Sequence, residues 1–211
     1  MGTCCLCHRQ GRLISKTLGM CVACIRTNAK EALPSIEEAH RQARAPFGLP
    51  SKPPKNTPGG QSCRLCANEC HISCGERGFC GIRENKEGKL TGGTPRTGNV
   101  SWYHDPLPTN CVASFICAAG TGRGHLDYAV SHGQEYGYKN LAVFYNSCSF
   151  NCLYCQNYHF KKETFSPLTV SSKELALAVD EKTSCICYFG GDPSTQILHA
   201  LKASKLARKY N

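Results

Sequence analysis

Apolar residues cluster most densely in the last third of the chain. Leu141-Ala142-Val143-Phe144-Tyr145 is an unbroken apolar run, too short for a helix and suited to a strand buried on both faces. A second strand is expected from Cys185 to Phe189, ending at Gly190-Gly191-Asp192-Pro193. Between them the pattern predicts a helix over 172–182, with Leu175, Leu177 and Val179 among its apolar residues. Ile197, Leu198, Leu201 and Leu206 give helical spacing over about 194–209, and a further helix is expected from Gly124 to Tyr136, ending near Gly137. The order strand–helix–strand–helix predicts an α/β fold with a parallel sheet and right-handed crossovers.

Upstream the apolar runs are shorter. Residues 89–120 read as short strands and turns, broken by Gly92-Gly93, Gly98-Asn99 and the stretch HDPLPTN at 104–110. PFGLPSKPPKNTPGG at 46–60 reads as a linker, since its prolines and glycines oppose regular structure. Before it a short helix is expected with Ser35 as cap, Glu37 and Glu38 in its first turn, and Arg41 and Arg44 in its last.

Composition changes this picture through cysteine. The chain holds 17 cysteines, most of them in C-x2-C or C-x3-C spacings. Such close pairs converge on one metal, whereas a disulfide framework joins distant segments. The start MGTCCLCHRQG has no apolar run resembling a signal peptide, and no stretch approaches the ~20 apolar residues of a membrane span. These features predict a cytoplasmic, metal-binding protein. The formal charge of +10 overstates the basic character, because metal-bound cysteines are thiolates. Residues 1–60 carry nine Lys/Arg against three acids, while the rest carry sixteen against twelve.

Three ligand sets follow from spacing. Cys4-x2-Cys7 and Cys21-x2-Cys24 make two knuckles of a zinc-ribbon-like module over 1–45, with Cys5 competing with Cys4. Basic neighbours such as Arg9, Arg12 and Lys16 either offset thiolate charge or contact nucleic acid or an acidic partner. Cys63, Cys66, Cys70 and Cys80 form C-x2-C-x3-C-x9-C within a cysteine-rich region over 61–120, with Cys74 spare. Zinc, a second cluster or unmetallated thiols all fit that spacing. The third set, Cys148-x3-Cys152-x2-Cys155, follows directly on the first buried strand. Three thiolates can cap three irons of a [4Fe-4S] cubane and leave the fourth iron open to a small molecule, whereas electron-transfer clusters carry four cysteines. The alternative is zinc with a distant fourth ligand such as His159. Cys111, Cys117, Cys185 and Cys187 read as buried small apolar residues, and His104, His125, His132 and His159 have no spacing that implies catalysis.

At Cys148, Cys152 and Cys155 the chain resembles the radical S-adenosylmethionine (SAM) superfamily. Its signature is this loop after the first barrel strand, with an aromatic residue before the last cysteine, here Tyr154. Members carry a Gly-Gly-Glu-like motif after the second strand, where backbone groups bind the methionine ammonium of SAM. Here that position reads Gly190-Gly191-Asp192-Pro193, with Asp for Glu. CxLCxxxC…GxCG before the barrel, DPLPTNC, and CQN after Cys155 look like activating enzymes of the pyruvate formate-lyase type, over about 61–211.

The resemblance implies an oxidoreductase-type iron–sulfur enzyme. It would cleave SAM reductively to a 5′-deoxyadenosyl radical that takes hydrogen from a substrate, which in activases is a protein. It also implies an electron donor such as ferredoxin or flavodoxin, and a fold forming the N-terminal part of a partial (β/α) TIM-like barrel at 121–211. Relatives close about six strand–helix units and only two follow the knuckles here, so further strands are expected beyond Asn211 or from another chain. The competing expectation is a non-catalytic zinc-binding adaptor acting through the basic N-terminal third.

Overall fold

The computed structural model describes all residues except Thr57, Asn110, His125 and Asn211. In chain order the N-terminal module comprises β1 (Gly2–Thr3), β2 (Gln10–Gly11), α1 (Val22–Thr27) and α2 (Ala29–Gln42). Next come β3 (Gln61–Ser62) with β4 (His71–Ile72), β5 (Glu84–Lys86) with β6 (Lys89–Thr91), then β7 (Thr97–Gly98). The rest of the chain comprises β8 (Val100–Pro106), α3 (Ala118–Thr121), β9 (Lys139–Tyr145), α4 (Phe160–Glu163), β10 (Val170–Ser171, which pairs with β7), α5 (Ser172–Ala176), β11 (Thr183–Gly190) and α6 (Ile197–Ala207).

The result is a mixed α/β fold of small sheets. The largest has three strands in the order β11-β9-β8, and no closed barrel forms among the described residues. β9 and β11 run parallel, as their order in sequence predicts, but β8 joins β9 antiparallel. One face of this sheet, through Val100, Leu141, Val143 and Tyr145, packs on Leu175 of α5 and on Ala200 and Ala203 of α6. The alanines of α6 let it lie close against the strands.

Several expected elements differ. α2 begins at Ala29, with Asn28 as its cap residue, so Ser35 lies inside the helix beside an interior Pro34. Ala32 and Ala39, which it buries, outweigh the backbone bond that proline cannot make. The described residues of 124–136 hold a 3₁₀ turn at Leu126–Tyr128 where a helix is expected. Here the buried Glu135 accepts from Val130 N–H at 3.1 Å and from the Ser184 hydroxyl, which fixes an irregular path. α5 stops at Ala176: a capping box of Ser171 and Glu174 starts it, while Asp180 and Thr183 bind each other in the turn that leads into β11. The described residues of 46–60 make no strand, yet a 3₁₀ turn at Ala45–Phe47 enters this stretch, Leu49 is buried there and Pro50 C=O accepts from Arg44.

The buried His199 of α6 fastens helix to sheet. A carbonyl only accepts, so Nε2–H donates to Val170 C=O (3.1 Å) and Nδ1 accepts from the Tyr145 hydroxyl (2.9 Å). Burial, opposed by the backbone bonds, holds this imidazole below its ordinary 6.5. The unfolded chain therefore binds a proton first as pH falls, so this contribution is intact above pH 6.5 and is lost on acidification. Urea denaturation between pH 7.5 and 5 should show stability falling more steeply in the native chain than in His199→Gln, which keeps a donor and an acceptor without titrating.

Candidate metal centre

The N-terminal quartet has the tightest geometry. The sulfurs of Cys4, Cys7, Cys21 and Cys24 all lie within 4.8 Å of one another, so this group could hold a metal ion. Cys7 and Cys21 are 3.7 Å apart. A tetrahedron with Zn–S of about 2.3 Å has edges of about 3.8 Å. Cys21 caps α1 and its sulfur accepts from Cys24 N–H at 3.5 Å, which turns both knuckle sulfurs the same way. Backbone donors at Cys7 and Cys21 draw the Cys4 thiol well below its ordinary value, while sharing protons with Cys21 and Cys7 pushes Cys24 up. Cys5 points elsewhere, toward Met20 Sδ at 3.5 Å, and this settles the competition in favour of Cys4.

In the second set, Cys63, Cys70 and Cys80 are buried, Cys66 is half-buried and Cys74 is exposed. Pairing of β3 with β4 brings Cys63 N–H to Cys70 C=O at 2.8 Å, and Phe79 N–H points at the Cys70 sulfur at 3.4 Å. Burial, with Cys63 and Cys66 close by, raises the Cys70 and Cys80 thiols. Cys63 and Cys70 also form a small core with Ile72 and Phe79.

The third set lies where β9 and β11 end side by side, the position at which parallel α/β sheets place their ligands. The loop with Cys148, Cys152 and Cys155 leaves β9, and the turn Gly190–Pro193 leaves β11. These two are tied together. Asp192 N–H donates to Ser147 C=O at 2.8 Å, and the Asp192 carboxylate accepts from Ser149 N–H (3.2 Å), from the Ser149 hydroxyl and from Ser194. Burial alone would raise Asp192, but these donors hold its carboxyl below the ordinary value. Beneath the turn, Gln196 bonds the Ser147 hydroxyl (3.1 Å) and both backbone groups of Asn99.

The glycines are required by this close approach. A Cβ on Gly191, whose φ is +65°, would sit 1.8 Å from Tyr145 C=O, and one on Gly190 would lie 2.0 Å from the Phe144 ring. Burial first, then Asp192, Cys155 and Cys152, push the Cys148 thiol up to about 11 against the Phe150 N–H. Tyr154 is exposed beside Cys155. A cavity of about 190 Å³ next to Gly191 is bordered by Asn146, Asn157 and His159.

Sequence reasoning missed the positive charges behind this loop. Arg44, 1% exposed, donates to Pro50 C=O (2.6 Å) and Phe79 C=O and stacks on the Phe79 ring at 3.8 Å, but its Nη1 has no partner. Lys161, 6% exposed, reaches Ala43 C=O (3.1 Å) and Asn151 Oδ1 (3.3 Å). Burial lowers both; Cys148 and Cys80 oppose that shift at Arg44, and the three loop cysteines oppose it at Lys161. Neither has an acidic partner among the described residues. The only advance signal was Arg44 in the last turn of a helix.

Comparisons with family models, with curated proteins and with solved structures find no match. Among the described residues, no helix is long and apolar enough to cross a membrane. For the N-terminal quartet, Cys4→Ala should lower the metal content by about one ion per chain, as expected for a four-ligand site. Cys5→Ala should leave it unchanged, as read by elemental analysis after gel filtration.

Proposed function

We propose that Cys148, Cys152 and Cys155 hold a [4Fe-4S] cluster and that the protein is a radical SAM enzyme. Its three-stranded layer is then the opening part of a (β/α) barrel. The observation that carries this reading is the pair Arg44 and Lys161, two buried cations near the cysteines of this loop with no acidic partner among the described residues. Burying an uncompensated charge costs several kcal/mol, and an anionic cluster is the counter-charge that relieves it. The unpartnered Nη1 of Arg44 is a donor such a cluster could use.

When bound, the cluster supplies the electron that cleaves SAM to methionine and a 5′-deoxyadenosyl radical, which takes hydrogen from a substrate. The chain itself holds and orients. Cys148, Cys152 and Cys155 would hold the cluster, and three protein ligands to four irons would leave room for SAM to bind it. The backbone of Gly190 to Pro193 receives the methionine ammonium. The Asp192 side chain, saturated by serine donors, fixes the turn rather than meeting SAM directly. Tyr154 offers a ring for the cofactor to lie against. In this reading the N-terminal quartet is a structural zinc site, closed by four protein ligands. An external donor such as ferredoxin or flavodoxin supplies the electron.

Anaerobic reconstitution tests this directly. The native chain should turn brown, bind iron and sulfide, and change its reduced EPR signal when SAM is added. Cys152→Ala should lose that signal while keeping the N-terminal metal. An unchanged spectrum in Cys152→Ala would remove the assignment. Arg44→Met should lower the reduction potential of the cluster, because the reduced state carries more negative charge and loses a buried cation; spectroelectrochemistry reads the shift.

A further inference from the structure

Six cysteines lie outside the ligand sets above, and all but Cys5 and Cys74 gather at the sheet face opposite the core. Cys185 and Cys187 stand on β11 in register with Asn140 and Ala142 of β9, and Asp105 and Tyr103 of β8 flank the same two residues from the other side. The segment after β8 folds back over this face. It brings Cys111 and Cys117 to the same cavity, of about 340 Å³, so that all four cysteines line it. Their expected role as buried apolar residues does not fit: Cys185 is exposed, and the other three are only half-buried.

The folded-back segment is held in place. The Thr109 hydroxyl donates to Asp105 Oδ2 at 2.6 Å and accepts from Cys111 N–H at 3.2 Å, while Asn140 also donates to Asp105 (3.1 Å). Ala113 N–H points at the Cys111 sulfur at 3.4 Å, a contact suited to a metal-bound thiolate. Cys117 stands at the cap of α3. Among the described residues, no lysine, arginine or histidine lines the cavity.

Among the described residues only the N-terminal quartet has its sulfurs close enough for one ion. These four are spaced more widely around a larger volume, which suits thiolates that cap separate irons. We infer that Cys111, Cys117, Cys185 and Cys187 ligate a second iron–sulfur cluster on the open face of the three-stranded sheet. The inference uses no residue of the Cys148 loop and stands or falls separately from the reading of that loop.

The test compares anaerobically reconstituted full-length native protein with Cys111→Ser/Cys117→Ser and with Cys185→Ser/Cys187→Ser. Both pairs should lose the same block of about two to four irons per chain, with matching sulfide. In the native protein Cys185, despite its exposure, should resist iodoacetamide until a chelator strips the metal, as followed by mass spectrometry. Circular dichroism checks folding; if the strand pair does not fold, the loop pair and the alkylation of native protein decide. Unchanged iron in a folded variant, loss of zinc alone, or alkylation of Cys185 at the same rate before and after metal removal would overturn the inference.

Discussion

Arg44 and Lys161 place two positive charges inside the protein without a carboxylate to balance them among the described residues. Carbonyl groups at Ala43, Pro50 and Phe79 accept hydrogen bonds from them, but carbonyls supply only dipoles. Removing a full charge from water is offset only by an opposite charge or by extensive hydrogen bonding. The groups that act on them and can carry negative charge are sulfurs. Cys148 and Cys80 act on Arg44, and Cys148, Cys152 and Cys155 act on Lys161. Much of the arrangement around the Cys148 loop makes sense as a means of bringing these charges and thiols together.

Three separate parts of the chain meet at that loop. Asn151 Nδ2 donates to His40 C=O near the end of α2 at 3.2 Å, and Asn68 of the second knuckle donates to Ser149 C=O at 2.7 Å. The turn after β11 reaches the same serine through Asp192. The N-terminal module is therefore in contact with the Cys148 loop, whatever metal its own cysteines hold. A cavity between Leu18 and His40 on one side and Cys152 and Tyr154 on the other lies along this contact.

The cysteines fall into geometries that suit different metals. The N-terminal quartet is compact, with a sulfur separation matching a tetrahedral ion. The Cys148 loop is more open, with Cys152 exposed and Cys148 and Cys155 half-buried. The cavity cysteines come from a strand and from the segment folded over it, and the sheet register is what makes them neighbours.

Sequence alone determined what depends on near neighbours. The parallel strands β9 and β11 were legible from their apolar runs, the quartet from its paired knuckles, and the loop and glycine turn from motifs a few residues long. Helix limits were less legible, because Pro34 and the polar stretch before Gly137 obey local preferences that burial of Ala32, Ala39 and Glu135 overrides. Tertiary structure alone decided which distant groups meet. Lys161 reaches Asn151 of the Cys148 loop, His199 fits between Tyr145 and Val170, and Cys111 and Cys117 line one cavity with Cys185 and Cys187. The physical reason is that buried charge and cavity shape depend on packing between segments far apart in the chain, and local spacing carries no record of those contacts.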